Sequence, residues 1–492
     1  MKVLLVYPEF PDTFWSFKHA LPFPGKRSAF PPLGLLTVSA MLPSHWQKRL
    51  VDINVQRLKD SDIAWADVVF FSAMIVQGPS LREHLARVKR LGKKVVVGGP
   101  ITSAHDPVIY EADYLVEGEA EELVGKLAAD LERGEAKPHY NDPNAVDVTR
   151  VPLPDLHLAP LRRYSSMSVQ FSRGCPFTCE FCDIIEIYGR RPRTKTPAQV
   201  CAELDQLYRL GWRGSVFMVD DNFIGNKKSV KALLPHLVGW MRDHKRPFTL
   251  YTEASLNLAE DEELLAMMRE ACFDKVFLGI ETPVAESLKE TTKFQNLRKD
   301  LLDSVRLIQA YGMEVMAGFI VGFDNDPPDV FDRQIEFIRK AAIPLSMVGL
   351  LNAVPNTQLW RRLKAEGRLL KESLGNNTVA DLNFIPRMDT QQLLDGYRRI
   401  LETIYSPREY FQRASAFLSQ LGKGSRAPLG FSDVKALVRS LWRQGFLSNY
   451  RWEYWKFIAQ SLREHRHHFS KAMTLAIMGH HFIQLANAEE GD

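Results

Sequence analysis

The chain has 492 residues, room for about three domains at roughly 150 residues each. Its 45% hydrophobic and 25% charged content fits a globular protein with sizeable cores. A net charge of +4 makes no case for nucleic acid as the main partner, and no run of about 18 apolar residues predicts a membrane-spanning helix. Of five cysteines, three fall within eight residues, which excludes a secreted disulfide framework and points to thiol-bound metal in a cytoplasmic protein.

The opening MKVLLVYPEF run stops being apolar at Pro8 and Glu9, with no small-residue cleavage pattern behind it, so it reads as a buried strand and not as a signal peptide. Residues 1–135 alternate β-rich runs at Lys2–Tyr7, Lys48–Asn54, Asp67–Met74, Lys94–Gly98 and Tyr114–Glu117 with helical patterns at Leu33–Leu42, Ser80–Leu91 and Glu121–Arg133. Continuous apolar strands alternating with helices predict a parallel sheet covered on both faces, joined by right-handed crossovers. The expected domain is five-stranded and doubly wound, with its ligand at the carboxyl ends of the strands.

Residues 136–165 hold Pro138, Pro143, Pro152, Pro154 and Pro160 and read as a linker. A second alternating series fills 166–385. Its strands are expected at Met167–Phe171, Ser215–Asp220, Thr249–Thr252, Lys275–Gly279, Val315–Val321 and Met347–Asn352, with helices such as Pro197–Leu210, Lys228–Asp243, Asp261–Ala271 and Leu297–Tyr311 between them. Six such units predict a partial (β/α)6 barrel whose chemistry lies at the strand C-termini. From 386 to 492 the strand signals vanish, and Leu393–Tyr405, Arg408–Leu421, Phe431–Gln444 and Tyr450–His465 read as helices. The expected fold class is α/β: a doubly wound Rossmann-like domain, a partial barrel and a helical C-terminal domain.

The segment Arg173-Gly-Cys-Pro-Phe-Thr-Cys-Glu-Phe-Cys182 directly follows the first barrel strand. Thiolates of Cys175, Cys179 and Cys182 on one loop can hold three irons of a [4Fe–4S] cubane and leave the fourth iron open. Structural zinc wants four ligands, and the nearest histidines, His157 and His236, are far away in sequence. Cys201 and Cys272 lie in helical surroundings and read as core filler.

This C-x3-C-x2-C spacing, with its neighbours, resembles the radical S-adenosylmethionine superfamily. The resemblance implies that Phe181 lies beside the cofactor's adenine. It places Asp220, Asp221 and Asn222, within Val219-Asp-Asp-Asn-Phe223, near the methionine amino group. It places Glu253 and the Glu281 of Gly279-Ile-Glu281 near the ribose or methionyl part. Gly318–Gly322 and Val354-Pro-Asn-Thr357 resemble the fifth strand and the loop after the sixth. Read without the resemblance, the aspartates are strand-end caps and the glutamates solvated loop acids.

Lys2–Tyr7 is not followed by G-x-G-x-x-G, which argues against a dinucleotide. The first domain instead resembles the cobalamin-binding domains that precede radical S-adenosylmethionine barrels, through Pro31-Pro-Leu-Gly-Leu35, Val51-Asp-Ile-Asn54, Ser72-Ala-Met74, Val97-Gly-Gly-Pro100 and Glu117-Gly-Glu119. By that resemblance Asn54, Ser72, Gly98, Gly99, Glu117 and Gly118 belong to the cobalamin site. Gly98 and Gly99 would admit the corrin edge and nucleotide tail, and Ser72 would bond a tail or side-chain amide. Asn54 stands where many cobalamin proteins place the lower-ligand histidine, so a base-off cobalt is expected, with Met74 a candidate to line its lower face. The alternative is a flavodoxin-like domain kept only for packing.

Together these resemblances imply a class B radical S-adenosylmethionine methyltransferase with three cofactors, a [4Fe–4S] cluster, S-adenosylmethionine and cobalamin. Tyr7–His19 and Thr291–Asn296 look like a subgroup similar to hopanoid C-2 methylases and bacteriochlorophyll side-chain methylases. The implied reaction methylates an unactivated carbon of a hydrophobic, lipid- or pigment-like substrate through methylcobalamin and a 5′-deoxyadenosyl radical, with electrons from a donor such as flavodoxin or ferredoxin. A rearrangement or cyclisation without methyl transfer is the alternative chemistry, and a non-catalytic cobalamin sensor or carrier the alternative class. In the C-terminal region, Tyr450–Ile458 interleaves aromatics with charge, and His467–His480 has an apolar second half. The plain reading is a helical bundle packed against the barrel; the sharper expectation is a domain that closes the barrel mouth, presents an apolar pocket to a large lipid- or pigment-like acceptor and touches the membrane surface peripherally.

Overall fold

A computed structural model describes residues 1–104, 106–376, 380–423 and 431–488. The first strand, β1 (Lys2–Tyr7), carries four consecutive buried residues, Val3 through Val6. Only a strand covered on both faces tolerates that pattern. It lies between β2 (Gln47–Asp52) and β3 (Val68–Ser72), and β4 (Lys94–Gly98) and β5 (Tyr114–Glu117) continue the sheet beyond β3. Every pairing is parallel. Because the chain turns to opposite sides of β1 for β2 and β3, the carboxyl ends of β1 and β3 flank the crevice where such sheets bind ligands.

The sheet has six strands, not the expected five. The sixth, β6 (His139–Asn141), pairs with β5 from inside the proline-rich stretch read as linker. It is three residues long and buries only Tyr140, so it carries no periodic signal.

The second sheet runs β7 (Met167–Val169), β8 (Gly214–Met218), β9 (Phe248–Ala254), β10 (Phe273–Glu281), β11 (Glu314–Val321) and β12 (Leu345–Leu350), all parallel and in chain order. This is a partial barrel left open between β7 and β12. Its outer helices begin on side-chain caps. Thr196 Oγ accepts from the Gln199 amide at 3.3 Å ahead of helix Pro197–Arg209, and Asp300 Oδ1 accepts from the Asp303 amide at 2.9 Å ahead of Leu301–Ala310. Such caps satisfy amides the first turn cannot.

The C-terminal helices are Thr390–Tyr405, Pro407–Gln420, Phe431–Trp442, Arg451–Glu464 and Phe469–Ala488. They do not close the barrel mouth, contrary to the sequence expectation. The Tyr405 hydroxyl donates to Ser346 O at 2.6 Å, Arg413 donates to Ile343 O at 2.8 Å, and Lys471 reaches Glu314 at 3.0 Å. Those partners sit where β11 and β12 start, so the bundle covers the amino-terminal end of the barrel. The last helix also grips the N-terminal segment: Phe482 stacks on Phe14 with centroids 4.4 Å apart, and His481 Nδ1 accepts from the His19 amide at 3.4 Å. Among the described residues, no helix is long and apolar enough to cross a membrane.

Candidate active site

The cysteine loop leaves the two-residue ribbon Ser172–Arg173, which pairs with Arg193–Thr194. Gly174 has φ +91°, and a Cβ there would lie 2.8 Å from Gly189 O. Its amide donates to Asp221 Oδ2 at 2.8 Å, and the Cys175 amide donates to Gly189 O at 3.3 Å. Cys179 is buried, while Cys175 and Cys182 are half-buried. Burial pushes the Cys175 and Cys182 thiols up, so an apolar pocket alone keeps them protonated. A positively charged metal group is what would hold them as thiolates. Among the described residues no three His, Cys, Asp or Glu side chains gather as ligands of a single ion; a cubane instead takes each thiolate at its own iron.

A second loop, Thr291–Asn296, clasps the first. The Glu180 amide donates to Thr291 O at 3.2 Å, and the Thr292 hydroxyl donates to Thr178 O. Gln295 Nε2 points at Cys179 Sγ from 3.6 Å, as Asn222 Nδ2 points at Cys175 Sγ from 3.7 Å. The Lys293 ammonium pairs with the buried Glu281 carboxylate and adds positive potential at Cys179 and Cys182. Asn296 Nδ2 donates to the carbonyls of Gly279 and Ile280, each at 3.0 Å. Gly279 leaves room for this pair, since a Cβ there would stand 2.4 Å from Glu281 Oε1 and 2.6 Å from Lys293 Nζ and would displace their side chains. Donors aimed at cluster sulfurs and a nearby cation are the groups that stabilise a reduced cluster. The residues fit the cubane.

The strand-end acids divide into two sets. Asp220 is buried, with Oδ1 accepting from the amides of Phe171, at 3.1 Å, and Ser172; its Oδ2 is buried without a partner. Burial raises its carboxyl to about 7 and that of Asp221 to about 6. Asn222 bridges Cys175 to Ser255 Oγ, 3.1 Å away. Phe181 packs with its centroid 6.2 Å from Phe323, beneath the Lys293 ammonium at 5.8 Å. Asp221 and Asn222 bond the cysteine loop, Asp220 bonds the residues just before it, and Glu281 pairs with Lys293 beside it. Glu253 stands apart from them. It lines the main cavity, and burial, reinforced by Asp221 and Asp220, raises its carboxyl to about 8.

That cavity measures about 1410 Å3, above the roughly 300–1,000 Å3 of ordinary ligand pockets. It lies between the carboxyl ends of both sheets and is lined on one side by Asn54, Ser72, Gly98, Gly99, Glu117 and Gly118. The floor is bare backbone: Gly99, at φ +91°, could not carry a Cβ, which would meet Ser72 Oγ at 2.5 Å and Ala73 O at 2.9 Å. A broad, flat macrocycle with a tail is the shape such a floor admits. Asn54 is tied into its own loop: its Nδ2 donates to Asp52 Oδ1 at 2.7 Å and Pro8 O at 3.1 Å, and its Oδ1 accepts from the Phe10 amide at 2.9 Å. Among the described residues, no histidine lines the cavity. The cradle fits cobalamin. Glu117 is paired with His139 of β6 at 2.8 Å, a partner hidden from sequence reading because β6 was missed.

On the barrel side the cavity lining is aromatic, a shaft of rings from three strands and the N-terminal segment. Phe217 and Tyr251 stack at 4.9 Å, Phe30 lies 5.3 Å from Phe217, and Trp15 meets Phe277 edge-on at 5.0 Å. Trp15 and Phe30 come from the N-terminal segment that the last helix holds in place. Their alternation with Pro and Lys in the sequence gives no helix or strand period, so the shaft had no signal beyond aromatic density. Arg173 and Arg193 of the barrel both bond Glu119 of the first domain at 2.8 Å, which fixes the two sheets around the cavity.

A doubly wound cobalamin cradle facing a thiol triad at a barrel mouth defines the cobalamin-binding radical S-adenosylmethionine class. Family models match in the same order: B12 binding domain over residues 27–128, Radical SAM superfamily over 169–338, and a domain of unknown function over 357–491. An uncharacterized methyltransferase of Synechocystis is 46% identical over 98% of this chain and 92% of its own. The hopanoid C-2 methylase of Rhodopseudomonas palustris is 36% identical over 98% of this chain and 93% of its own. The fold matches the radical S-adenosylmethionine methyltransferase TsrM of Kitasatospora setae with cobalamin and [4Fe-4S] cluster bound, at a TM-score of 0.66 over 100% of both chains and 14% identity. The chain belongs to the family of cobalamin-binding radical S-adenosylmethionine methyltransferases that includes the hopanoid C-2 methylase. Its cofactors are cobalamin, S-adenosylmethionine and a [4Fe–4S] cluster.

Proposed function

We propose that the protein methylates an unactivated carbon of a hydrophobic, lipid- or pigment-like acceptor. The observation that carries this reading is the aromatic shaft of Phe30, Phe217, Tyr251 and Phe277, continuous with the wide cavity. Apolar walls of this kind bind by excluding water from an apolar ligand. The 36% identical relative is named for a hopanoid, a lipid, which supports the same acceptor class. When bound, the cofactors supply the hydrogen-abstracting radical and the methyl group, and the protein orients them.

Placement supports the following roles within the chain. Cys175, Cys179 and Cys182 hold the cluster, with Asn222 and Gln295 donating toward two of their sulfurs. Phe181, Asp220, Asp221 and Glu281 form the wall against which S-adenosylmethionine is seated. Glu253, neutral at pH 7, offers one hydrogen-bond donor and one acceptor on the cavity side. Gly98, Gly99, Ser72 and Gly118 admit cobalamin, and Asn54 holds the loop below it. A low-potential donor of the flavodoxin or ferredoxin type supplies electrons.

The test is an anaerobic reaction of the reconstituted enzyme with lipid and pigment extracts and methyl-labelled S-adenosylmethionine. Label recovered in an apolar product one methylene heavier, together with 5′-deoxyadenosine, is the expected result. 5′-Deoxyadenosine with an unlabelled, rearranged product would replace methyl transfer by isomerisation or cyclisation. No 5′-deoxyadenosine on reduction would overturn the enzymatic reading.

A further inference from the structure

We propose that the C-terminal helices Phe431–Trp442 and Arg451–Glu464 present a docking face for an anionic phospholipid bilayer, set beside the cavity wall so that a bilayer-dissolved acceptor can pass into the shaft. The inference rests on the hydrophobic-acceptor reading for its purpose, but not for its geometry. Both helices bury one apolar side and expose another. Helix Arg451–Glu464 buries Tyr454, Phe457 and Ile458 in the bundle, yet Trp452 is 68% exposed and Leu462 is 53% exposed.

The other stripe is clearer. Val434, Val438, Trp442 and Phe446 recur every fourth residue, along the helix and the turn of π-helix Arg443–Leu447 that extends it, and all are 56–60% exposed. Four consecutive positions on one helical face are apolar and open to solvent, where a solvated surface would alternate charge. The two helices join into one patch: Trp442 and Phe446 lie 5.7 Å apart, and Phe446 and Trp455 lie 6.2 Å apart.

Charge selects the occupant. Residues 431–466 carry seven Lys or Arg and three Asp or Glu, a net positive charge equal to the +4 of the whole chain. Lys435, Arg443, Arg451 and Lys456 flank the aromatic stripe and are exposed. Tryptophan and phenylalanine ringed by long cations suit the headgroup boundary of an anionic membrane, where the rings enter the interface and the cations meet phosphate.

Position links the patch to the site. Arg439, on the same helix, donates to Pro22 O at 2.6 Å and Phe23 O at 3.1 Å, and the Arg443 guanidinium lies 5.7 Å from the Phe23 ring centre. Leu21, Pro22 and Lys26 of that segment line the cavity whose shaft holds Trp15 and Phe277. The docking face and the cavity therefore share one wall.

The experiment is flotation of the full-length holoprotein with phosphatidylcholine vesicles, with and without phosphatidylglycerol, read also by tryptophan emission and its quenching by brominated lipid. The expected result is binding to the anionic vesicles, a blue shift, and quenching. Trp442→Ser/Phe446→Ser/Trp452→Ser should raise the lipid needed for half-binding by about tenfold or more, a change of about 1.4 kcal/mol, with cobalamin and iron content unchanged. Lys435→Glu/Arg451→Glu should remove the preference for phosphatidylglycerol. Wild-type protein that floats with neither vesicle would overturn the proposal. So would a concentration-dependent dimer dispersed by the aromatic substitutions in protein that ignores vesicles, since the face would then belong to a second copy. Binding is read without turnover, so a wrong acceptor class would leave it intact, and failure to bind would leave methyl transfer untouched.

Discussion

At the carboxyl ends of β3 and β4 the first sheet offers backbone: Gly98 and Gly99, with Ser72 close behind. At the corresponding end of the barrel the second sheet offers side chains, with Asn222, Lys293 and Gln295 crowding the cysteine loop. On the proposed assignment, one cofactor is received by shape and the other by bonded groups. The cradle should therefore fail when atoms are added, and the cysteine site when atoms are removed.

The largest effect belongs to the triad. Cys175→Ala, Cys179→Ala or Cys182→Ala should each abolish 5′-deoxyadenosine formation and strip iron from reconstituted protein, measured by iron and sulfide analysis. Cys201→Ala and Cys272→Ala should keep wild-type iron content, because neither thiol shares the loop. Next comes the buried pair. Lys293 and Glu281 are 8% and 6% exposed, and Lys293→Met would leave the carboxylate without its cation. Urea unfolding should show a loss of about 3–5 kcal/mol, the usual cost of stranding one partner of a buried ion pair. Lys293→Met/Glu281→Gln should recover much of that loss, and a double variant no better than the single one would reject the pairing as its cause.

Adding one methyl group tests the cradle. Gly99→Ala places Cβ against Ser72 Oγ and Ala73 O in a backbone conformation that disfavours side chains. Cobalamin affinity should fall about tenfold or more, equivalent to about 1.4 kcal/mol, while iron content stays unchanged. Equal loss of both cofactors would mean that the domain had misfolded and that the two sites are not independent. A smaller effect is expected from Gln295→Leu, which removes a donor to the Cys179 sulfur without removing a ligand. The midpoint potential of the cluster should move to more negative values in a redox titration, since the donor favours the electron-rich state. An unchanged potential would reduce Gln295 to a packing residue.

The same contrast explains what the sequence made legible. Both sheets were visible because their strands are continuous apolar runs, as in Val3–Val6, and the triad because three cysteines share one loop. The strand β6 was missed because three residues with one buried side chain have no period. Lys293 and Gln295 stood out only within the Thr291–Asn296 segment that carried the subgroup resemblance, with no role of their own, since their partners, Glu281 and Cys179, are 12 and 116 positions away. The helical bundle and its packing against the barrel were legible, but the end it covers was not. Amphipathic patterns report that a face is buried but not against what, and the contacts that decide it, Tyr405 with Ser346 and Lys471 with Glu314, leave no local trace.

A pH-dependent effect is expected at Glu253, the one acid of the barrel set that lines the cavity. Burial, followed by the charges of Asp221 and Asp220, raises its carboxyl from an ordinary 4.5 to about 8. The folded protein therefore holds a proton there that the unfolded chain releases. Below pH 4.5 both states are protonated and the group is neutral in its effect. As pH climbs from there toward 8, the unfolded chain ionises while the folded site resists, so stability falls; above about 8 both are ionised and the loss levels off. Glu253→Gln keeps the shape and a donor but cannot ionise. The melting temperature of the cofactor-free variant should match wild type near the acid end and rise above it progressively up to about pH 8. Asp220 and Asp221 shift in the same direction, and because their charges also raise Glu253, the difference between the two proteins includes their coupling to it. A difference that stays constant across this range would mean that Glu253 is already ionised at neutral pH. It could then accept hydrogen bonds from a ligand but not donate one, and its assignment as a neutral group on the cavity wall would be lost.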